Sequence, residues 1–327
     1  MGLLCSMVVH VLEAASLRAY LWVLGLPEPI PPSLTSEQRR LIRTRLRSLV
    51  PYVPVKDPTS WPRRVLSHIR GLYRVWRDIP AMQRRRLAKN DTDFSPEVAA
   101  ELHRFPDYYC KNFHYQTNGY FTLESARLYD MQYELIFLGV GQRIRLVAAT
   151  QLRRFLPAGK PYAMMEVGAG SGNLGTIMQS LYPGTEVLLT DRSVPYLHRA
   201  LEKYPHMNIR AEPTFVKRLD FVPDCHLDVV MSGFLFHEIP HQVIPKAMAE
   251  MGRVLRPGGF AFILDSSQDH DGEENHFALD QFEGTFHEPY YPEFRASSLE
   301  SLLADAGMVV VYQQLHFFSK VVIAQKC

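Results

Sequence analysis

The sequence predicts an α/β fold with a mostly parallel sheet of seven strands, preceded by a helical N-terminal region. From about residue 160, the short apolar runs "YAMMEV", "EVLLT", "LDVVMS" and "FAFIL" alternate with helix-like segments, a pattern typical of parallel strands joined by crossover helices. The last β-rich runs, "GMVVVYQQL" and "FFSKVVIAQK", lie too close together for a crossover helix, so they predict an antiparallel edge hairpin. A glycine-rich turn follows the first strand, as in Rossmann-like sheets.

We divide the chain into two regions on this basis. Residues 1–112 form a helical, arginine-rich extension, and residues 113–327 form the α/β domain. Within that domain, an aromatic segment and a helix occupy residues 113–158, and the Rossmann-like core occupies residues 159–327.

Length and composition are those of an ordinary globular protein. The 327 residues can bury a full core and still carry a second region. The formal net charge of +2 gives no reason to expect a nucleic-acid partner. The four cysteines form no CxxC pair, which argues against a disulfide framework or a structural zinc site and favours a reducing, cytoplasmic compartment.

The N-terminal stretch is apolar but interrupted by charged residues. We therefore expect neither a membrane span nor a signal peptide there. The opening "MGLLCS" fits the N-myristoylation pattern at Gly2, with Cys5 as a second acylation site. We favour a helix packed on the body of the protein over lipidation.

Arginine dominates the charged residues between residues 39 and 86. Thr35 and Gln38 predict a capping box at the start of this helical region, with Leu34 as the staple residue. The arginines have two interpretations. One is peripheral contact with an anionic membrane or an acidic partner; the other, which we favour, is a solvated helical face whose arginine stems cover apolar surface.

The candidate ligand-binding motif is the turn after the first strand. Glu166 closes that strand, and Gly168, Gly170 and Gly172 alternate through the turn into the next helix. This arrangement resembles the cofactor loop of class I S-adenosylmethionine-dependent methyltransferases. Glycines let the backbone approach the methionine part of that cofactor, the helix N-terminus favours its carboxylate, and Glu166 supplies negative charge near its ammonium and sulfonium groups.

The same glycines allow a second interpretation. Gly170, Gly172 and Gly175 spell G-x-G-x-x-G, the dinucleotide fingerprint. That fingerprint needs its first glycine at the strand end, and here the strand ends near Val167. An NAD(P)-dependent oxidoreductase is therefore the less favoured alternative.

Further cofactor residues follow from the later strands. Asp191 ends the second strand, where its carboxylate can accept both ribose hydroxyls, as it would in an NAD enzyme too. We add Arg192 beside it and Ser232 on the next long strand. The resemblance also implies an acidic adenine contact after strand three, for which Asp220 in "TFVKRLDFVPD" is the candidate.

The segment "MGRVLRPGGFAFILD" strengthens the resemblance, because a helix ending at "RVLR", a Pro-Gly-Gly turn and an apolar strand are very common in this family. The likeness covers about residues 105–327. It is closest to the group that includes ubiquinone and menaquinone C-methyltransferases, which implies S-adenosylmethionine as cofactor and a small-molecule acceptor. A non-catalytic binding or assembly protein with the same fold is the other alternative.

The acceptor side is predicted from the loop after "LDVVMS". "HEIPH" matches the zinc-protease motif, but Pro240 breaks the helix that this motif needs. We instead place His237 and Glu238 in the loop after that strand and expect Pro240 to open the next helix. We therefore assign no metal ligands. His237 is the candidate for contacting the acceptor or removing its proton, against a structural loop histidine, and Glu238 either orients it or binds a cationic substrate.

Aromatic segments supply the remaining candidates. Tyr115 joins His237 and Glu238 in the predicted catalytic set, although its segment could instead be a packed aromatic hinge, an interpretation we prefer slightly more for Phe113 than for Tyr115. The chain has "GFLF" where DNA amino-methyltransferases resemble one another in [DN]-P-P-[YF], which again argues against a nucleic-acid substrate. The predicted substrate residues are His114, Phe236, Tyr290 and Tyr291, the last two in a lid.

Overall fold

The sheet has the predicted architecture. A computed structural model describes residues 34–49 and 61–327. Seven strands run in the order β3-β2-β1-β4-β5-β7-β6; β1 to β5 are parallel, and β7 runs antiparallel to both β5 and β6. The strands are β1 (Met164–Val167), β2 (Val187–Asp191), β3 (Ile209–Pro213), β4 (Leu227–Gly233), β5 (Leu255–Ser266), β6 (Met308–His316) and β7 (Ser319–Lys326).

Helices cover both faces of this sheet, and residues of β1 show why. Met164 belongs to one buried cluster, whereas Met165 and Val167 belong to the other, because successive side chains of a strand point to opposite faces. The helices are α1 (Ser36–Leu49), α2 (Trp61–Ala88), α3 (Pro96–Ala99), α4 (Leu123–Ile136), α5 (Gly141–Gln151), α6 (Asn173–Leu181), α7 (Val194–Lys203), α8 (Ile244–Val254), α9 (His276–Thr285), α10 (Tyr291–Ala296) and α11 (Leu299–Asp305).

The N-terminal helices pack on the α/β domain. Thr35 and Gln38 form the predicted capping box, since each side chain accepts the backbone N–H of the other. Ile42 and Leu49 of α1 join the same buried cluster as the sheet. Helix α2 packs against α4 in a separate cluster. No helix within residues 34–49 and 61–327 is long and apolar enough to cross a membrane.

Two helix boundaries differ from the sequence prediction. Helix α8 ends at Val254 rather than Arg256, because the residue before a proline is disfavoured in the helical region and Arg256 precedes Pro257. The same helix begins at Ile244, with Pro245 in its first turn, so Pro240 does not open it. The lipidation candidates Gly2 and Cys5 lie outside the described residues.

Candidate functional site

A cavity opens at the carboxyl ends of β1, β2 and β4, where ligands bind in open α/β sheets. We call it the cofactor cavity; its empty volume is about 950 Å³, including solvent at its mouth. Five of the predicted cofactor residues line it: Glu166, Gly168, Gly170, Asp191 and Arg192.

The glycine loop turns the chain from β1 into α6. Gly168, Gly170 and Gly172 have φ values of +65°, +52° and +74°, a left-handed region that other residues rarely adopt. Gly172 does not line the cavity; a Cβ there would lie 2.9 Å from side-chain carbons of both Ala200 and Leu189. Its role is therefore to let α6 pack closely while the loop faces the ligand.

Glu166 lies buried beneath this loop. Its Oε2 accepts the backbone N–H of Gly175 at 2.7 Å. Burial raises the pKa of Glu166 to about 8, although the Gly175 N–H and the positive charge of Arg145 act in the opposite direction. A cation bound in the cavity would favour the ionised carboxylate, so the group is suited to a positively charged ligand.

Asp191 holds the loop and faces the cavity with the same carboxylate. Its Oδ2 accepts the N–H of Gly170 at 2.8 Å, and its Oδ1 accepts the N–H of Ser193 at 2.7 Å. Burial raises the pKa of Asp191, and these backbone donors lower it. Each carboxylate oxygen can still accept a further hydrogen bond, as two neighbouring hydroxyls of a ribose require.

Arg192 closes one side of the cavity. Its guanidinium lies 4.4 Å from the ring centroids of both Phe105 and Phe215, an arrangement in which cation–π contact holds the side chain between two aromatic faces. The residue thus joins the aromatic segment before the core to the loop after β3.

Besides Gly172, two predicted cofactor residues lie outside the cavity. Asp220 is exposed and pairs with Arg218 at 2.5 Å, so the candidate adenine contact is not supported. Ser232 is fully buried within β4, and the cavity is lined instead by Gly233. After β3 the lining residues are 214–216; because they contain no acidic residue, a search for an acid could not find them.

A second cavity adjoins the first. We call it the acceptor cavity; its empty volume is about 1230 Å³, including solvent at its mouth. Its wall is mainly apolar, with side chains from the N-terminal helix α1, from α4, from α9 and from the β6–β7 turn. Tyr129, Phe234 and Glu238 line both cavities, so this is where they meet.

Glu238 lies at that junction, and His237 lines the acceptor cavity beside it. The Nδ1 of His237 lies 2.5 Å from Oδ1 of Asp265, at the end of β5. Burial lowers the pKa of His237, but the Asp265 carboxylate outweighs it and raises the pKa to about 9. Burial and the nearby Glu288 raise the pKa of Glu238 to about 8, and its Oε1 accepts the hydroxyl of Tyr120 at 2.7 Å.

The predicted catalytic residue Tyr115 lies away from the junction. His114 and Tyr115 have φ values of +53° and +55°, and these two consecutive left-handed residues send their side chains in different directions. His114 is buried and lines the acceptor cavity. Tyr115 lines neither cavity and stacks on His287 at 4.9 Å, so its position does not support catalysis. Phe113, for which the sequence slightly favours a packed aromatic hinge, lines the cofactor cavity instead, whereas Tyr115 does not.

The other predicted substrate residues divide in the same way. Tyr291 lines the acceptor cavity, and its hydroxyl lies 2.9 Å from Oγ of Ser266. Tyr290 lines neither cavity and donates to the carbonyl of Tyr108. Phe236 is fully buried in the core. The positive φ of Phe234 turns that ring, two residues earlier, toward both cavities.

Sequence reasoning missed several site residues. Tyr109, Tyr120 and Tyr196 line the cofactor cavity; the aromatic density of residues 105–121 signalled two of them, but no pattern marked Tyr196 in α7. Asp130 lines neither cavity but supports the glycine loop, because its carboxylate binds Ser171 of that loop as well as Arg199 and Lys203. Its partners come from distant parts of the chain, so only the fold reveals the network.

Comparison with known proteins gives a consistent result. Residues 164–259 match a family described as "Methyltransferase domain". A demethylmenaquinone methyltransferase of Chlorobaculum parvum is 32% identical over 142 residues, which is 43% of this chain and 56% of that protein. A ubiquinone/menaquinone biosynthesis C-methyltransferase of Coxiella burnetii is 28% identical over 148 residues, 44% of this chain and 56% of that protein.

A third relative is named for a different kind of acceptor, a ribosomal RNA. A 23S rRNA (guanine(748)-N(1))-methyltransferase of Streptomyces fradiae is 30% identical over 156 residues, 46% of this chain and 51% of that protein. The chain thus spans about half the length of the relatives it matches.

The cofactor cavity fits S-adenosylmethionine. The glycine loop permits close approach, Asp191 is placed for a ribose, and Glu166 is a buried carboxyl ready to pair with a cation. The predicted fold and cofactor are confirmed together by the sheet topology, the family match and the methyltransferase relatives. Residues 164–259 therefore match a methyltransferase domain, and the sheet that contains them has the topology predicted for class I S-adenosylmethionine-dependent methyltransferases.

Proposed function

We propose that this domain transfers the methyl group of S-adenosylmethionine to a small, apolar acceptor bound in the acceptor cavity. The observation that carries the proposal is the shared wall of the two cavities at Tyr129, Phe234 and Glu238. In-line displacement requires the acceptor atom to approach the methyl group opposite the departing sulfur, and only a junction between two adjoining sites allows that approach.

The residues at the junction have separate roles in this proposal. Tyr129 and Phe234 exclude water, which is most of what a reaction with a good sulfonium leaving group requires. Glu238, oriented by the Tyr120 hydroxyl, is the ionisable group that lines both cavities. His237 uses Nδ1 to bind Asp265 and presents Nε2 to the acceptor.

The apolar wall supports the acceptor class. Phenylalanines from α9 and the β6–β7 turn line the acceptor cavity, and apolar lining with a few polar groups is typical of small-molecule sites. Two of the relatives are named as quinone-pathway methyltransferases, which agrees with a ring-bearing apolar acceptor.

The test is transfer of a tritium-labelled methyl group from S-adenosylmethionine to a panel of hydroquinones, phenols and indoles, with total RNA as a separate arm. We expect labelling of a small molecule. Phe282→Ala, in the acceptor cavity, should raise KM for that acceptor without changing the affinity for S-adenosylmethionine. Phe221→Ala, at an exposed position away from both cavities, should change neither. Labelling of RNA instead, or of nothing in either arm, would contradict the proposal.

We propose further that α2 binds an anionic lipid surface. Leu66, Ile69, Tyr73 and Trp76 are exposed, and their spacing places them on one side of the helix. On the same side, Arg70, Arg77 and Arg84 are also exposed. The only acidic residue of α2 is Asp78, which instead binds Thr117. An apolar stripe beside arginines is typical of interfacial helices.

Two other arginines of the region are bound within the protein and largely removed from solvent. Arg45 binds Asn275 and the carbonyl of Phe317, and Arg85 is buried. The lipid proposal therefore concerns α2 alone.

Sedimentation with vesicles of neutral lipid, with and without phosphatidylserine, tests this lipid proposal. We expect the protein to bind the anionic vesicles, and we expect Trp76→Ser to weaken that binding. Phe221→Ser is the matched control, because these two aromatic side chains are 46% and 45% exposed; equal effects of both variants would refute the proposal.

A further inference from the structure

Three ionisable side chains from separate segments meet beside the acceptor cavity. His114 comes from the turn before α4, Glu238 from the turn after β4, and Glu288 from the segment after α9. The Nδ1 of His114 lies 3.0 Å from Oε1 of Glu288, and its Nε2 lies 3.9 Å from Oε1 of Glu238. One donor atom from each residue lies within 4.8 Å of the other two.

Glu288 is the unusual member of this group. Its side chain is fully buried, and apart from Nδ1 of His114, 3.0 Å from Oε1, neither carboxylate oxygen has a hydrogen-bond or ion-pair partner among the described residues. Burying a carboxylate without such partners is strongly unfavourable unless a cation or a proton compensates. Within residues 34–49 and 61–327, the only basic groups within ion-pair distance of Glu238 or Glu288 are histidines.

The chain contains a second group of similar composition that shows the contrast. His270, Asp271 and Glu300 also form a cluster of potential metal ligands. There the ammonium of the buried Lys320 contacts both carboxylates and lies 2.8 Å from Asp271. That group already has its cation, and it is more exposed than the group around Glu288.

We propose that His114, Glu238 and Glu288 bind one divalent transition-metal ion. A set of one imidazole nitrogen and two carboxylate oxygens suits Zn²⁺, Mn²⁺ or Fe²⁺. Ligand atoms about 2.1 Å from a shared ion lie roughly 3 to 3.5 Å from one another. The Nδ1 of His114 and Oε1 of Glu288 lie 3.0 Å apart, and one donor atom from each of the three residues lies within 4.8 Å of the other two. Small side-chain rotations would complete the site.

The ion would have an open side toward the acceptor. His114 and Glu238 line the acceptor cavity, whereas Glu288 does not, so the cavity reaches the ion from the side of His114 and Glu238. An open coordination position is what distinguishes a site that binds a ligand from a purely structural one. An acceptor that carries an oxygen donor would occupy it.

The experiment measures metal binding alone and needs no acceptor. The full chain is stripped with chelator, equilibrated by dialysis with Zn²⁺ or Mn²⁺, and analysed for bound metal; with Co²⁺, the visible absorption reports the ligand geometry. We expect one equivalent of metal per chain. Glu288→Gln should weaken binding at least about tenfold and alter the Co²⁺ spectrum. The same variant should keep the fold, because glutamine has nearly the same shape and its amide oxygen can still accept a hydrogen bond from Nδ1 of His114.

His114→Gln is a second variant with the same expected loss. His270→Gln is the matched control, since it removes a histidine from the other cluster and should leave binding unchanged. Less than stoichiometric binding of all three metals would overturn the proposal, as would binding that survives Glu288→Gln and His114→Gln or disappears in His270→Gln. Failure of methyl transfer would leave these outcomes unaffected, so the two proposals are tested separately.

Discussion

The substitution Glu166→Gln should make the stability of the protein less dependent on pH. The folded state holds the Glu166 proton up to a pKa of about 8, whereas the unfolded carboxyl ionises near its ordinary value of 4.5. Between these values the folded state binds more protons than the unfolded state, so the stability contributed by this group is complete below pH 4.5 and is lost as the pH rises toward 8. The slope for one fully coupled proton is about 1.4 kcal/mol per pH unit.

From pH 5.5 to pH 7.5, this slope amounts to a loss of roughly 2.5 kcal/mol in the wild type relative to Glu166→Gln. Urea unfolding of both proteins across that range, without cofactor, measures the difference in the free energy of unfolding. Glutamine keeps an oxygen that can accept the Gly175 N–H, so the comparison isolates the charge. Parallel stability curves for the two proteins would show that Glu166 is ionised in the folded state and that the reasoning is wrong.

Two further predictions use neighbouring or equivalent positions as controls. Gly175→Ala should destabilise the fold by about 1 to 3 kcal/mol in thermal unfolding, because the new Cβ would lie 2.5 Å from a carbon of Leu189. Gly284→Ala is the control: a Cβ at this position of α9 meets nothing within 4 Å, so the change should be neutral or slightly stabilising. Similar losses of stability in both variants would refute the packing argument. Arg85→Gln should cost about 3 kcal/mol in chemical unfolding, since the buried guanidinium binds Asp93 and two further groups. Arg84→Gln, at the exposed adjacent position, should cost less than about 0.5 kcal/mol; a small effect at Arg85 would contradict its structural role.

The sheet and the cofactor loop could be predicted because their signals are local. Apolar runs bounded by glycine and charged residues identified the strands, and the positions of Glu166 and Asp191 at strand ends placed both carboxylates at one edge of the sheet. The comparisons and the topology confirm the family resemblance and the fold derived from these residues.

The acceptor side could not be predicted residue by residue because it depends on contacts between distant segments. Glu288 lies fifty positions after Glu238 in the sequence, and no spacing rule joins it to His114. The left-handed backbone at His114 and Phe234 decides which neighbouring side chain faces inward. As a result, Tyr115 and Phe236 lie outside the cavities, and the pattern of aromatic residues does not show which rings face inward.

The most direct test of the account is calorimetric titration of the full chain with S-adenosylmethionine, with S-adenosylhomocysteine and NADH as comparisons. Asp191→Ala removes the carboxylate that faces the cofactor cavity, and Asp220→Ala is the matched control, because that aspartate is exposed and outside the cavity. The account predicts micromolar binding of both adenosyl compounds, weakened at least about tenfold by Asp191→Ala and unchanged by Asp220→Ala. Binding of NADH alone, or binding of S-adenosylmethionine that is insensitive to Asp191→Ala, would contradict it.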